Sequence, residues 1–187
     1  MYVDIYNTDK KYNIIYADPP WTYKVWTAKG GHKSASAHYD CMPKEEIQDM
    51  GDTINKISSD DCILFLWVTM PNLIEGIELI EKWGFKYKTC GFNWVKIYSN
   101  GKPVIGLGYW TRANSELCLI ATKGKPKRIS KKISQIVIEK PREHSRKPDC
   151  VRERIVELMG DLPRIELFAR QTVEGWDCWG NEVLGDD

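Results

Sequence analysis

The chain of 187 residues carries a formal net charge of +1, 28% charged residues and a mean hydropathy of −0.45, with eight Trp and nine Tyr. That length suits one domain with a substantial core, residues 1–187, and is short for two. No run reaches the roughly 18 apolar residues of a membrane span and no basic-then-apolar leader opens the chain, so no membrane partner and a cytosolic location are expected. The six cysteines (Cys41, Cys62, Cys90, Cys118, Cys150, Cys178) form no Cys-x-x-Cys pair, and the three histidines lack i, i+4 spacing, so reduced core thiols and no metal are expected.

Asn13 to Ala17 reads as a first strand, followed by Asp18-Pro19-Pro20-Trp21 and a polar loop from Thr22 to Asp40. Pro43 opens a short helix from Lys44 to about Ile54, with Glu45 and Glu46 in the first turn where the helix dipole favours them. The continuous apolar run from Cys62 to Val68 fits a central strand covered on both faces. Pro71 begins a helix with Leu73, Ile74, Ile77, Ile80 and Trp83 as its apolar stripe, and Gly84 ends it. Tyr87 to Ile97 is a strand, Asn100-Gly101 a turn, and Leu117 to Thr122 a buried strand. Ser134 to Glu139 follows as a strand, and Lys147-Pro148 starts a helix with Val151, Ile155, Leu158 and Met159 inward. Arg164 to Phe168 returns to the sheet, and Trp176 to Glu182 closes it. This alternation predicts an α/β fold with a mostly parallel central sheet flanked by helices. A Walker loop and a Gly-x-Gly-x-x-Gly turn are absent, which weighs against kinase and dinucleotide chemistry.

Charge is uneven: residues 123 to 154 hold twelve Lys or Arg against four Asp or Glu. Such a run is either a solvated surface or a phosphate-facing edge for nucleic acid. The tetrapeptide Asp18-Pro19-Pro20-Trp21 has two readings as well. Two prolines end a sheet ladder because neither donates a hydrogen bond. A carboxylate, a fixed carbonyl and a large aromatic at the carboxyl end of a strand also form a notch able to hold a flat base by its amino group.

The tetrapeptide is the first of a series of ordered blocks. Ala17-Asp18-Pro19-Pro20-Trp21, His38-Tyr39, Met42-Pro43, Leu64-Phe65-Leu66-Trp67-Val68, Trp94-Val95-Lys96 and Gly108-Tyr109-Trp110 with Glu116 occur in that order. His144-Ser145-Arg146-Lys147-Pro148-Asp149, Ile165-Glu166-Leu167-Phe168-Ala169-Arg170 and Gly180-Asn181-Glu182 follow. From Tyr12 to about Val183 the chain resembles the S-adenosylmethionine-dependent adenine-N6 methyltransferases typified by the 70-kilodalton subunit of the eukaryotic mRNA enzyme, in a compact bacterial or phage form.

The resemblance implies a single Rossmann-like methyltransferase domain in which the catalytic motif precedes the cofactor-binding motifs. It implies Asp18, Pro19, Pro20 and Trp21 as catalytic residues, with the Asp18 carboxylate and Pro19 carbonyl accepting from the adenine amine. Trp21 and Tyr23 would stack on the base, and Lys29, Lys33 and Arg112 would touch phosphates. For S-adenosylmethionine it implies Asp18, Lys147 on the methionine carboxylate, and Glu166, Phe168, Arg170, Asn181 and Glu182 around ribose and adenine. Gln171-Thr172-Val173 departs from the His-Asn pair of the animal subunit, and Glu182 stands where that subunit has Gln. DNA is the expected substrate, in a bacterial or phage-infected cell. RNA is the alternative, and a silent nucleic-acid-binding partner subunit is a third reading, opposed by the intact carboxylate. Uneven basic charge disfavours a small-molecule substrate. The large relatives add modules for substrate capture, so this chain is expected to bind weakly, to rely on its basic segment, or to pair as a homodimer or with a second subunit.

Overall fold

A computed structural model describes residues 1–21, 42–142 and 146–183. The elements in chain order are β1 (Tyr12–Ala17), α1 (Lys44–Asp49), α2 (Gly51–Ile57), β2 (Ser58–Val68), α3 (Leu73–Lys82), β3 (Lys86–Lys96), β4 (Ser115–Lys123), β5 (Ile136–Glu139), α4 (Cys150–Met159), β6 (Arg164–Leu167) and β7 (Asp177–Trp179). The strands form one seven-stranded sheet in the order β5-β3-β4-β2-β1-β6-β7. Among the described strands only β4 runs against its neighbours β2 and β3, and every other adjacent pair is parallel. The fold is a Rossmann-like α/β sheet with helices on both faces.

Period-2 alternation in β1 and β2 explains the two layers. Ile15, Ala17, Leu64, Leu66 and Val68 pack with Ile47, Ile54, Leu79, Ile80 and Trp83 of the α1–α3 layer. Ile14, Tyr16, Ile63, Phe65 and Trp67 face the other way and pack with Val151, Ile155 and Met159 of α4. A strand buried on both faces needs apolar side chains at every position, as the run from Cys62 to Val68 provides. Burial of each such large side chain is worth roughly 1.5–3 kcal/mol.

Three helical expectations are corrected. The helix expected over Lys44 to Ile54 is two helices meeting at Met50. The carbonyl of Ile47, in the last turn of α1, accepts from the Trp83 indole at 2.8 Å. Gly51 opens α2 against the end of α3, where an added Cβ would lie 2.8 Å from the Lys82 carbonyl. In α3 the inward face is Gly76, Leu79 and Ile80, and Ile74 is exposed. Ile74 precedes Gly76 by two residues, about 200° round the helix, so it cannot share that face. In α4, Leu158 is half-buried, and the buried face includes Arg152 beside Val151, Ile155 and Met159.

Among the described residues no helix is long and apolar enough to cross a membrane, and no group of His, Cys, Asp or Glu could hold a metal ion.

Candidate active site

Asp18 leaves the sheet directly after β1, in the middle of the molecule, beside the carboxyl ends of β2 and β6. The amide of Trp21 donates to the Pro19 carbonyl at 2.8 Å, a tight turn centred on Pro20. Proline suits it because its fixed φ lies close to that of an inverse γ-turn. The Pro20 carbonyl accepts from the Met42 amide at 3.2 Å, which closes the far side of the notch. A carbonyl has two lone pairs, so Pro19 retains one for a ligand. Trp21 is only 7% exposed, and its indole donates to the Trp67 carbonyl at 3.1 Å. The expected stacking wall is therefore a largely buried ring fixed in place by that hydrogen bond.

A line of alternating charges extends from Asp18. Lys147 Nζ lies 2.9 Å from Asp18 Oδ2 and 3.3 Å from Glu116 Oε2, and Lys96 Nζ binds the other Glu116 oxygen. Lys147 and Glu116 are both buried. Burial disfavours the Lys147 ammonium, yet Asp18 and Glu116 outweigh it and hold its pKa above the ordinary lysine value. Burial likewise pushes the Glu116 carboxyl up, and Lys147 and Lys96 outweigh it, leaving that pKa below the usual glutamate value. The tryptophans of the α4 face floor this line: Lys147 lies 5.6 Å from the Trp67 ring and Lys96 4.7 Å from the Trp94 ring. Trp67 is itself fixed by an indole hydrogen bond to the Tyr16 hydroxyl at 2.7 Å.

Glu116 sits here because β4 is antiparallel. Its first residues lie at the same sheet edge as the last residues of β1, β2 and β3, and Glu116 pairs in register with Trp94.

A second network anchors the segment that carries Lys147. Arg152 forks onto Glu166 with hydrogen bonds of 2.7 and 2.8 Å and reaches Asp149 at 2.8 Å. Arg142 bonds Asp149 at 2.6 Å and the Lys147 carbonyl at 2.8 Å, and Arg146 joins Asp149 at 3.0 Å. Burial pushes the Asp149 carboxyl up, but Arg142 and Arg146 outweigh it and lower it to about 2. Burial opposes the Arg152 guanidinium, and Glu166 outweighs it and keeps the cation charged.

The remaining expected residues are distributed unevenly. Glu166 is buried and engaged by Arg152. Phe168 adopts φ 59°, the left-handed region uncommon for a bulky residue, with its ring edge-on to Trp179 at 5.5 Å. Arg170 Nε lies 3.6 Å from Glu182, and Asn181 and Glu182 are exposed beyond β7. Gly180 lets the ends of β6 and β7 close, since an added Cβ would lie 2.3 Å from the Ala169 carbonyl. Arg112 is exposed on the loop between β3 and β4. Tyr23, Lys29 and Lys33 lie outside the described residues, as does the whole loop expected over Thr22 to Asp40. The basic run divides: Lys125 to Lys132 follow β4 off the edge opposite Asp18, whereas Arg142 and Arg146 converge on Asp149 near the notch.

Lys96 and Glu116 stand within the sequence motifs without an expected role, and Arg152 lies outside them. The signal for Glu116 was a carboxylate opening the apolar strand Leu117 to Thr122. For Arg152 it was a cation one position from Val151 in an inward-facing helical stripe, a place that requires a buried partner.

The residues suit S-adenosylmethionine, the cofactor that the sequence resemblance implies. A carboxylate and an ammonium side by side match the opposite charges of its amino-acid part, and the exposed polar groups at Asn181 and Glu182 match ribose hydroxyls.

The family description MT-A70 matches residues 12–182. The chain is 37% identical to the type II methyltransferase M.MunI of a Mycoplasma species, over 93% of this chain and 78% of that one. It is 30% identical to an N(6)-adenosine-methyltransferase MT-A70-like protein of Arabidopsis thaliana, over 93% of this chain and 24% of that one. With the catalytic subunit METTL3 of Homo sapiens the identity is 27%, over 94% of this chain and 29% of that one. A match over nearly the whole chain, with the Asp-Pro-Pro-Trp notch at the carboxyl edge of its sheet, makes this chain a member of the MT-A70 family of S-adenosylmethionine-dependent methyltransferases.

Proposed function

We propose that this enzyme methylates the exocyclic N6 amine of adenine in DNA, as a catalytic unit of residues 1–187 in the cytoplasm of a bacterial or phage-infected cell. The observation that carries the reading is the state of Asp18. Lys147 holds Oδ2 at 2.9 Å, the side chain keeps 21% of its surface open, and the adjoining Pro19 carbonyl has a second lone pair.

The adenine amine is a poor nucleophile because its lone pair is delocalised into the ring. Asp18 Oδ1 and the Pro19 carbonyl each accept one of its N–H bonds, which favours a pyramidal nitrogen with an available lone pair. Lys147 pairs with Asp18 at 2.9 Å and fixes its rotamer, Glu116 and Lys96 hold Lys147, and Trp21 walls the notch beside the base. S-adenosylmethionine, when bound, supplies the electrophilic methyl group. Lys147, Arg170, Asn181 and Glu182 serve to orient it, with Phe168 and Trp179 as apolar wall. Alignment of this kind removes roughly 7–11 kcal/mol of a barrier. Glu166 acts through Arg152 rather than on the ribose.

The DNA choice rests on the match to a bacterial type II methyltransferase over most of that protein. RNA is the second reading, favoured by 27% identity to an N6-methyladenosine RNA methyltransferase of Pyricularia oryzae. The test is transfer of label from S-adenosylmethionine to duplex DNA, single-stranded DNA and RNA, with Asp18→Ala in parallel. Label on DNA that vanishes in the variant supports the proposal. Equal labelling by both proteins sinks the catalytic assignment, and labelling of RNA alone sinks the choice of DNA.

A further inference from the structure

The arm between β3 and β4 exposes more apolar surface than a solvated loop would. Tyr109 and Trp110 are 92% and 91% exposed, and Ile105 and Leu107 are each 71% exposed. Yet the arm has defined structure. The Val104 amide donates to the Lys96 carbonyl at 2.8 Å, the Gly106 amide to Ala113 at 2.9 Å, and the Ala113 amide to Leu107 at 3.1 Å. At its tip a Cβ on Gly108 would lie 1.9 Å from the Thr111 carbonyl, so the chain doubles back more tightly than any other residue allows. The two aromatic rings at this turn meet edge to face at 5.2 Å and 88°. Contiguous exposed aromatics held on a braced turn mark an interaction site.

Charge and position select the partner. Residues 97–115 include Lys102 and Arg112 and no Asp or Glu, which suits a polyanion. Both ends of the arm are rooted in the catalytic line, at Lys96 and Glu116, and Glu116 is one ion pair from Lys147. Trp110 lies six residues from Glu116, at the tip of the arm whose root adjoins the charge line. Adenine can reach Asp18 from a duplex only by leaving the stack, and the gap it leaves is unfavourable until something fills it. Apolar side chains fill such gaps in other DNA-deforming proteins.

We infer that the Tyr109–Trp110 tip is a wedge that enters the DNA duplex and occupies the gap left by the extruded adenine. This inference rests on the DNA-methylation reading above. Rings at 88° cannot both lie parallel to the base pairs. The larger Trp110 stacks in the gap, Tyr109 braces it edge-on, and Arg112 meets a flanking phosphate.

The experiment compares wild type, Trp110→Ala and Trp110→Phe on a PCR-generated unmethylated duplex of several kilobases and on the same DNA heat-denatured. One base–aromatic stack is worth roughly 5- to 150-fold in equilibrium. Trp110→Ala is therefore expected to lose about tenfold or more in label transfer to the duplex and less than about threefold on denatured DNA, with Trp110→Phe restoring most of the duplex activity. Equal losses on both substrates, or none on either, overturn the wedge and leave the methylation reading standing. Absence of DNA labelling by wild type removes both. Sedimentation provides the remaining arm: a wild-type dimer that Trp110→Ala converts to monomer assigns the tip to a contact between copies and also overturns the wedge.

Discussion

Lys147 Nζ and Asp18 Oδ2 lie 2.9 Å apart, tying the segment before α4 to the residue that follows β1. The contact makes the carboxylate proposed for catalysis one member of a line of charges rather than an isolated group. Asp18→Asn keeps the shape of the side chain and removes the charge that the amine and Lys147 both meet. Label transfer should fall about 100-fold or more, the scale of losing a preorganised electrostatic contact. A melting curve near that of wild type would assign the loss to chemistry.

Arg152 and Glu166 form a nearly dry pair. Arg152→Met should destabilise the fold by about 3–5 kcal/mol, because Glu166 is left buried with no cation. Arg152→Met combined with Glu166→Leu should recover most of that loss in urea denaturation. If Glu166 instead contacts the cofactor directly, the double variant will refold well and still bind S-adenosylmethionine far more weakly by calorimetry.

Asp149 gives a pH signature. Its carboxyl is lowered to about 2 from an ordinary 3.8, so its contribution is fully present above about pH 4 and is lost as pH falls toward 2. Asp149→Asn should therefore lower stability at neutral pH and flatten the acid limb between about pH 4 and 2. Denaturation midpoints measured through that window read the difference. Because the side chain is 44% exposed, solvent screening keeps the effect small.

Gly180→Ala places a methyl group 2.3 Å from the Ala169 carbonyl and 2.6 Å from its amide nitrogen, both backbone. The ends of β6 and β7 must part, at about 1–3 kcal/mol. Weaker binding of S-adenosylmethionine should accompany the lower melting temperature. A variant equally stable and equally tight would detach this strand end from the cofactor site.

Strands β1, β2 and β6 were legible because a sheet covered on both faces demands unbroken apolar runs, and the notch was legible because proline ends a ladder. The reversal of β4 was not, since hydrophobicity carries no direction. Nor was the break at Met50, which follows from the indole of Trp83 reaching Ile47 across 36 positions. The role of Glu116 depends on that reversal too: in sequence it is 98 residues from Asp18, and only an antiparallel strand returns it to the same edge.

That reversal also frees the arm from the sheet. Because β3 ends and β4 begins at the working edge, the arm between them can lengthen, shorten or change its tip while both strands keep their register and Glu116 keeps its place. Loop length is thermodynamically cheap to alter, as each doubling costs only about 0.6 kcal/mol. The eighteen residues of the arm, 97–114, are thus the part of this edge that can change with least disturbance to the sheet.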